Sequence, residues 1–407
     1  MPLYDNWAWD SVNRVMTIVA DDVKGFDEAN AYSFSDIPDC IVAKGWSAGY
    51  NESASGVQLE FDFRIVIGDG TTTTWFVDAG RQVTFRSTAV TAISQNLVEV
   101  KANATVRFGV LDDAYQKITS DGIHFYSLVT QSSTSYIKGA TNGEFYLYSC
   151  VLNSSGTQHR VTISPNCKVY NSIVENCWVF GLSTANASDF FNVLLSECSV
   201  GASDSALAYL FGLLNKITAY RNSQVFFFGN QAFSVTVRNV YARLNTNIVR
   251  AMNMASHNYL VNVDSDSWAI QWVGSSTKYI YRQYEFDATC IDKNGNPIEG
   301  VTAVAEYINP YGIAFTQTTD VNGEISTQTV DHGFFKYATG STEQLKTPLK
   351  VTYSKAGYKT LVKYYPLNEK TKDQAVMQKI VDIVFVDGKP ALNLSETDPE
   401  NELYVAT

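Results

Sequence analysis

Charge is scarce in this 407-residue chain: Asp, Glu, Lys and Arg make up 17% of it, against roughly 25% in an average soluble domain. What charge there is leans acidic. Thirty Lys and Arg stand against 41 Asp and Glu, a formal net charge of −11, which is the wrong sign for gripping phosphates and argues against nucleic acid as a partner. Histidine is rarer still. His124, His159, His257 and His332 lie far apart in sequence, so neither a metal-ligand motif nor a catalytic-histidine motif can be built from them. The six cysteines, Cys40, Cys150, Cys167, Cys177, Cys198 and Cys290, are scattered without the paired C-x-x-C spacing of a zinc site. No metal is expected. Nor is a cofactor, because Ile67-Gly-Asp-Gly-Thr71 lacks the Gly-Lys-Ser/Thr ending of a phosphate loop and reads as a turn. The longest apolar stretch, around Leu207 to Leu214, falls far short of the ~20 residues of a bilayer span. The first residues, Met-Pro-Leu-Tyr-Asp-Asn-Trp-Ala-Trp-Asp, have neither the basic start nor the apolar core of a signal peptide, so conventional secretion is not expected.

What the chain does have is β-forming side chains. Hydrophobic residues reach 45% and aromatics 13%, with 24 Tyr and 22 Phe, and Val, Thr and Ser recur where helices would carry Ala, Glu, Leu and Lys. An all-β protein follows. Five segments can be laid over one another, ending at Asn153, Cys177, Cys198, Asn222 and Leu244, spaced 24, 21, 24 and 22 residues apart, and a sixth ends at Ser267. A period of 21 to 24 residues without a Leu-x-x-Leu-x-Leu frame points away from leucine-rich repeats. It suits one coil of a right-handed parallel β-helix, the pectate-lyase-like solenoid. In such a coil equivalent strands stack ~4.8 Å apart and inward side chains form ladders. Ile173, Leu194, Ile217, Val240 and Val261 are the expected core, and Asn153, Cys177, Cys198 and Asn222 are expected to recur at one turn.

These patterns divide the chain into residues 1–56 as an amino-terminal cap or docking segment, with Asp21 to Tyr32 as a short helix, and residues 57–280 as the solenoid. Beyond them, 281–368 has a different character and 369–407 is an arm. The arm contains weak helical spacing over Asp373 to Ile383, a hairpin over Ile383 to Leu392 and an acidic end over Ser395 to Glu402.

Within 281–368, Asp292-Lys-Asn-Gly-Asn-Pro-Ile-Glu-Gly-Val301, Thr319-Asp-Val-Asn-Gly-Glu324 and Lys355-Ala-Gly-Tyr358 carry tight Asn-Gly and related turns between β-forming runs. In order and spacing these pieces resemble the carboxypeptidase regulatory-like (transthyretin-like) family of immunoglobulin-like β-sandwiches. The resemblance covers about 85 residues. It implies a stabilising or adhesive module without catalytic residues of its own. Asp292-x-Asn294-Gly295 and Asp320-x-Asn322-Gly323 also look like calcium loops, but glycine stands fourth rather than sixth and the closing acid is missing, so turn chemistry explains both.

Two kinds of candidate site remain. Parallel β-helices often carry polysaccharide-cleaving carboxylate pairs, and Glu175 and Glu197 lie in successive repeats, with Asp264 and Asp266 further along. Runs such as Phe190-Phe191, Tyr209-Leu-Phe211 and Gln224-Val-Phe-Phe-Phe-Gly229 cannot bury every ring by strand alternation, so Phe191, Phe211 and Phe227 are candidate outward aromatics for stacking sugars or identical neighbours. A solenoid, an adhesive-type sandwich, no export signal and no cofactor motif together resemble the surface proteins of tailed viruses. That architectural resemblance implies a non-enzymatic spike, head fibre or capsid decoration, made in the host cytoplasm and carried on the virion surface. It also implies a homotrimer touching other virion proteins and host-surface glycans. The alternative is a polysaccharide hydrolase or lyase on the same scaffold.

Overall fold

The computed structural model describes residues 3–56, 58–78, 81–85, 98–109, 124–127, 135–139, 144–148, 150–154, 159–163, 167–175, 177–181, 189–198, 207–208, 214–229, 234–252, 257–274, 278–339, 342–380, 382–386 and 389–393. Strands dominate. Among the described residues there is one α-helix, Asp36–Lys44, so the chain is all-β. It divides into two compact units, residues 1–281 with 335–343, and residues 282–334 with 344–407.

The first unit is built from strands that pair in parallel with the equivalent strand of the next repeat. One ladder runs from Val15–Ile18 through Arg64–Ile67, Val98–Val100, Ser135–Gly139, His159–Ile163 and Cys177–Gly181 to Leu207–Ala208, Gln224–Gly229, Asn247–Met252 and Ile270–Val273. A second passes through Ala104–Phe108, Glu144–Tyr148 and Cys167–Tyr170, and a third through Gln82–Phe85, His124–Ser127, Val151–Ser154 and Ile173–Glu175. The two merge in Asp189–Ser196 and stay merged through Leu214–Tyr220, Thr236–Arg243 and His257–Ser265. Side-chain hydrogen bonds between repeats span 21 to 24 residues, the interval seen in the sequence.

Each merged strand contains one residue in the left-handed region, at Asn192, Lys216, Asn239 and Asn262, with φ between 52° and 56°. Strand alternation slips by one at that residue. Thus Phe190 is buried and Phe191 half-buried, and after Asn192 the buried positions become Val193 and Leu195. This slip corrects part of the expected core. Ile217, Val240 and Val261 are buried, whereas Ile173 and Leu194 are half-buried beside the buried Val174 and Leu195. Ile217 pairs with Val193, Val240 with Ile217, and Val263 with Val240.

The expected single turn of Asn153, Cys177, Cys198 and Asn222 is also redistributed. Cys198 and Asn222 do share a turn, with Asn245 as its third member, while Asn153 pairs with Glu175 within a strand and Cys177 with His159 in another ladder. Buried Asn222 accepts the Cys198 backbone N–H at 2.8 Å. It donates to the carbonyls of Leu195 and Tyr220 at 3.2 Å and to Asn245 Oδ1 at 2.9 Å. The amide therefore satisfies backbone groups that the turn would leave unpaired in the interior.

The parallel ladder reaches into the segment expected to be a cap, since Val15–Ile18 is already paired with Arg64–Ile67. No helix forms over Asp21 to Tyr32. Gly25 breaks it with φ 96°, and the buried Asp21 carboxylate accepts the backbone N–H groups of Tyr4, Val23 and Lys24 and the Tyr32 hydroxyl, which closes the segment as a turn. The helix comes later, at Asp36–Lys44, with acids in its first turn and left-handed Gly45 at its end.

In the second unit, an antiparallel sheet orders Tyr311–Thr318, Thr302–Ile308, Leu349–Ser354 and Leu361–Tyr365. Phe286 to Ile291 pair in parallel with Thr371–Val376. Phe286, Cys290, Val301, Phe315, Val351, Tyr353 and Met377 belong to one buried cluster. The helical spacing read over Asp373 to Ile383 is overridden, because Ala375 is buried in that strand and Asp373 is held by Lys363 Nζ at 2.8 Å and the Tyr353 hydroxyl at 3.0 Å. Asp382–Val386 and Lys389–Asn393 pair antiparallel, as expected of a hairpin. Residues 395–402 lie outside the described residues. Asp292 accepts N–H groups of Asn294 and Asn296, and Asp320 those of Asn322 and Glu324, so both carboxylates serve their own turns.

Asn222→Ala should cost about 1–3 kcal/mol in a denaturant titration, because it strands buried donors and acceptors. Burial pushes the Cys40 thiol up to about 12 and the Cys290 thiol up to about 11. At pH 8 both should resist a disulfide-exchange reagent until the protein unfolds, a result read directly by comparing native and denatured thiol counts.

Candidate ligand-binding face

The register of the second ladder decides which rings share a column on its outer side. Tyr148 pairs with Tyr170, Tyr170 with Phe191, Phe191 with Asn215, and Asn215 with Arg238. The rings follow one another along the stack, at 5.8 Å from Tyr148 to Tyr170 and 5.9 Å from Tyr170 to Phe191. Tyr170 and Phe191 are half-buried, so each offers part of its ring to solvent. The neighbouring column holds Arg107, Tyr146, Lys168 and Asp189 in register. Tyr146 stacks on Tyr148 at 6.0 Å, and Lys168 Nζ lies 5.8 Å from the Tyr146 ring centre. Lys216 Nζ stands 4.9 Å over Phe191. Such cation and ring pairs are held by the ring quadrupole.

A second aromatic group sits further along. His257 stacks on Tyr279 at 5.4 Å and on Tyr281 at 5.6 Å, while Tyr259 stacks on Tyr281 at 5.5 Å, and all four are half-buried. Tyr259 pairs in register with Thr236.

Beyond the left-handed residue, the other outward columns are more polar. Ile173, Leu194, Thr218, Tyr241 and Asp264 form one, and Glu175, Ser196, Tyr220 and Arg243 the next. Arg243 lies 3.9 Å over the ring of Tyr241, itself half-exposed, and bonds Asp264 at 2.7 Å, which holds the guanidinium above its usual range. Here the two candidate carboxylates separate. Glu175 pairs with Ser196, whereas Glu197 is one position on, in the left-handed region, with its carboxylate 3.5 Å from Arg221. Successive repeats do not give them one column.

Of the three candidate aromatics, Phe191 lies in the ring column described above. Phe227 pairs with Ala208 and Arg250 in the first ladder, away from that column, and its side chain lies outside the described residues, as does Phe211 entirely. The sequence reading missed Tyr148, Tyr170, Lys216, His257 and Tyr281. Tyr148, Tyr170 and Phe191 recur at the repeat interval, a signal that was present. Among the described residues no group of three or more His, Cys, Asp or Glu could hold a metal ion. In the second unit an open cleft of about 600 Å³ is lined by Asp287, Gln317, Asp320, Glu324, Ser326 and Lys372.

No family model and no curated protein matches the chain.

The facing of the column gives a direct expectation. Phe190→Ala should cost about 3–5 kcal/mol as a core truncation, and Phe191→Ala only about 1 kcal/mol, the worth of a surface ring pair. Equal losses in urea titrations would contradict the assigned facing.

Proposed function

We propose that this chain is a structural protein of the surface of a tailed virus, a spike, head fibre or capsid decoration. In this reading the first unit is a right-handed parallel β-helix and the second a β-sandwich of the carboxypeptidase regulatory-like kind, and neither performs catalysis. The protein assembles as a homotrimer, joins other virion proteins, is made in the host cytoplasm, and contacts host-surface glycans with the outer side of its β-helix.

One observation carries the glycan part of the reading. Tyr170 and Phe191 present two half-buried rings in register, backed by the buried Tyr148 and edged by Lys168, Lys216 and the side-chain amides of Asn192 and Asn215. Flat rings take the apolar faces of sugars, and amides and cations take their hydroxyl groups. A rigid strand array suits such a task because its spacing does not change on binding. The remaining support is the low charge and the absence of any cofactor motif in the sequence.

Electron microscopy of virions treated with antibody against this chain should place label on the particle surface, and particles without label would remove the reading. Light scattering on the intact protein should return three times the 45.1 kDa chain mass. A monomer would remove the trimer and leave a decoration that assembles only on its particle.

A further inference from the structure

The left-handed position of each merged repeat is occupied by Asn192, Lys216, Asn239 and Asn262, preceded by Asn171 in the repeat before. Asparagine is the expected residue, since its short amide tolerates this backbone region and bonds its neighbours. The amides also bond along the stack: Asn192 Nδ2 donates to Asn171 Oδ1 at 2.8 Å, and Asn262 Nδ2 to Asn239 Oδ1 at 3.0 Å. Lys216 breaks that ladder. Asn239 turns instead to Asn215, donating to its Oδ1 at 2.7 Å. A long cationic side chain in the left-handed region, which Arg14 and Arg221 also adopt, is a poorer local choice than the asparagine used on either side of Lys216. Departures of this kind concentrate at functional sites.

The departure has a definite result. It sets Lys216 Nζ over Phe191, at the end of the pair of half-buried rings Tyr170 and Phe191, where Lys168 stands in the neighbouring column. In a chain of net charge −11, cations at this edge are the reverse of the protein's general field. Asp189 holds the register place next to Lys168, so the positive charge is carried by the side where the exposed Lys216 stands.

We infer that this face takes a linear anionic glycan laid along the stack, with Lys216 selecting for its acidic groups. The inference rests on the reading that the face contacts glycans and adds charge, direction and a specificity-determining residue to it. Rings repeating once per strand layer match a polymer that repeats at about the length of one sugar, so contacts accumulate along the chain. The lysine then discriminates between a sugar carboxylate and the hydroxymethyl group of its neutral counterpart.

The test uses the intact protein and its Lys216→Asn variant, which restores the residue found at the equivalent positions and so keeps the fold. Calorimetric titration with polygalacturonate, hyaluronan and polysialic acid, each beside its carboxyl-reduced form, reads the charge preference. At least one acidic polymer should bind at least tenfold more tightly than its reduced form. Affinity should rise from two to eight sugars and weaken as salt increases. Lys216→Asn should lower acidic binding about tenfold, lower neutral binding by less, and melt at the same temperature or higher. Equal affinity for acidic and reduced forms, or a variant that binds as well as the parent, overturns the inference while leaving glycan contact intact. No binding to any of the six polymers by a protein whose antibody labels virions overturns both the inference and the glycan contact, while the virion assignment survives.

Discussion

One backbone constraint organises the later repeats of the first unit: each merged strand passes through a residue in the left-handed region and then continues as the same strand. That residue consumes a position without contributing to the alternation, so it decides which side chains enter the core and which leave it. Phe190 and Phe191 are chemically identical and adjacent, and strand alternation sends one inward and leaves the other half-buried, after which Asn192 resets the phase so that Val193 and Leu195 are the buried pair. Parallel register then copies the choice from repeat to repeat. The buried Val193, Ile217, Val240 and Val263 and the outward Tyr148, Tyr170 and Phe191 are two products of the same geometry.

Turns inside such a stack carry an unavoidable cost, because backbone groups at a bend point into a dry interior without a strand partner. The chain meets it with side chains drawn from the next repeat. Asn222 serves Cys198, and Asn245 serves Asn222 and the carbonyl of Ala219. The Cys198 thiol bonds the carbonyls of Val174 and Ser196 at 3.4 Å, and Cys150 bonds those of Phe108 and Tyr148 in the same manner. At these two positions cysteine is a small, weakly donating turn residue. On the outer edge the asparagines make a second, solvent-facing ladder, and its interruption at Lys216 stands out against that regularity.

Strand content and the repeat interval were legible because each is a property of composition or period. Core positions were only partly legible. Ile217, Val240 and Val261 were recoverable from alternation, but Ile173 and Leu194 were not, since nothing in their own strands announces the slip at Asn171 and Asn192. The turn residues failed for a related reason: aligning segments by their ends merged Cys177, at the start of one strand, with Cys198, at the close of another. The helix was misplaced because the run from Asp21 to Tyr32 contains Gly25 and an acidic side chain better used as a hydrogen-bond acceptor for its own turn. Of the candidate site, Phe191 was legible from an aromatic pair that alternation could not bury. Tyr170 was recoverable from its repeat spacing to Phe191, whereas Lys216 required the register, because its significance lies in what stands one repeat away.

The central claim is therefore the register itself, and a cross-link measures it most directly. Thr218 and Tyr241 are paired in adjacent parallel strands and both face outward, at a spacing of ~4.8 Å that falls within the Cα separation a disulfide accepts. The account predicts that the Thr218→Cys, Tyr241→Cys protein closes an intrachain disulfide on mild oxidation while still folded. A Thr218→Cys, Ala242→Cys protein, one position out of register with the second thiol buried, should not. A cross-link in the second protein and none in the first would contradict the register, and with it the column of rings and the role assigned to Lys216.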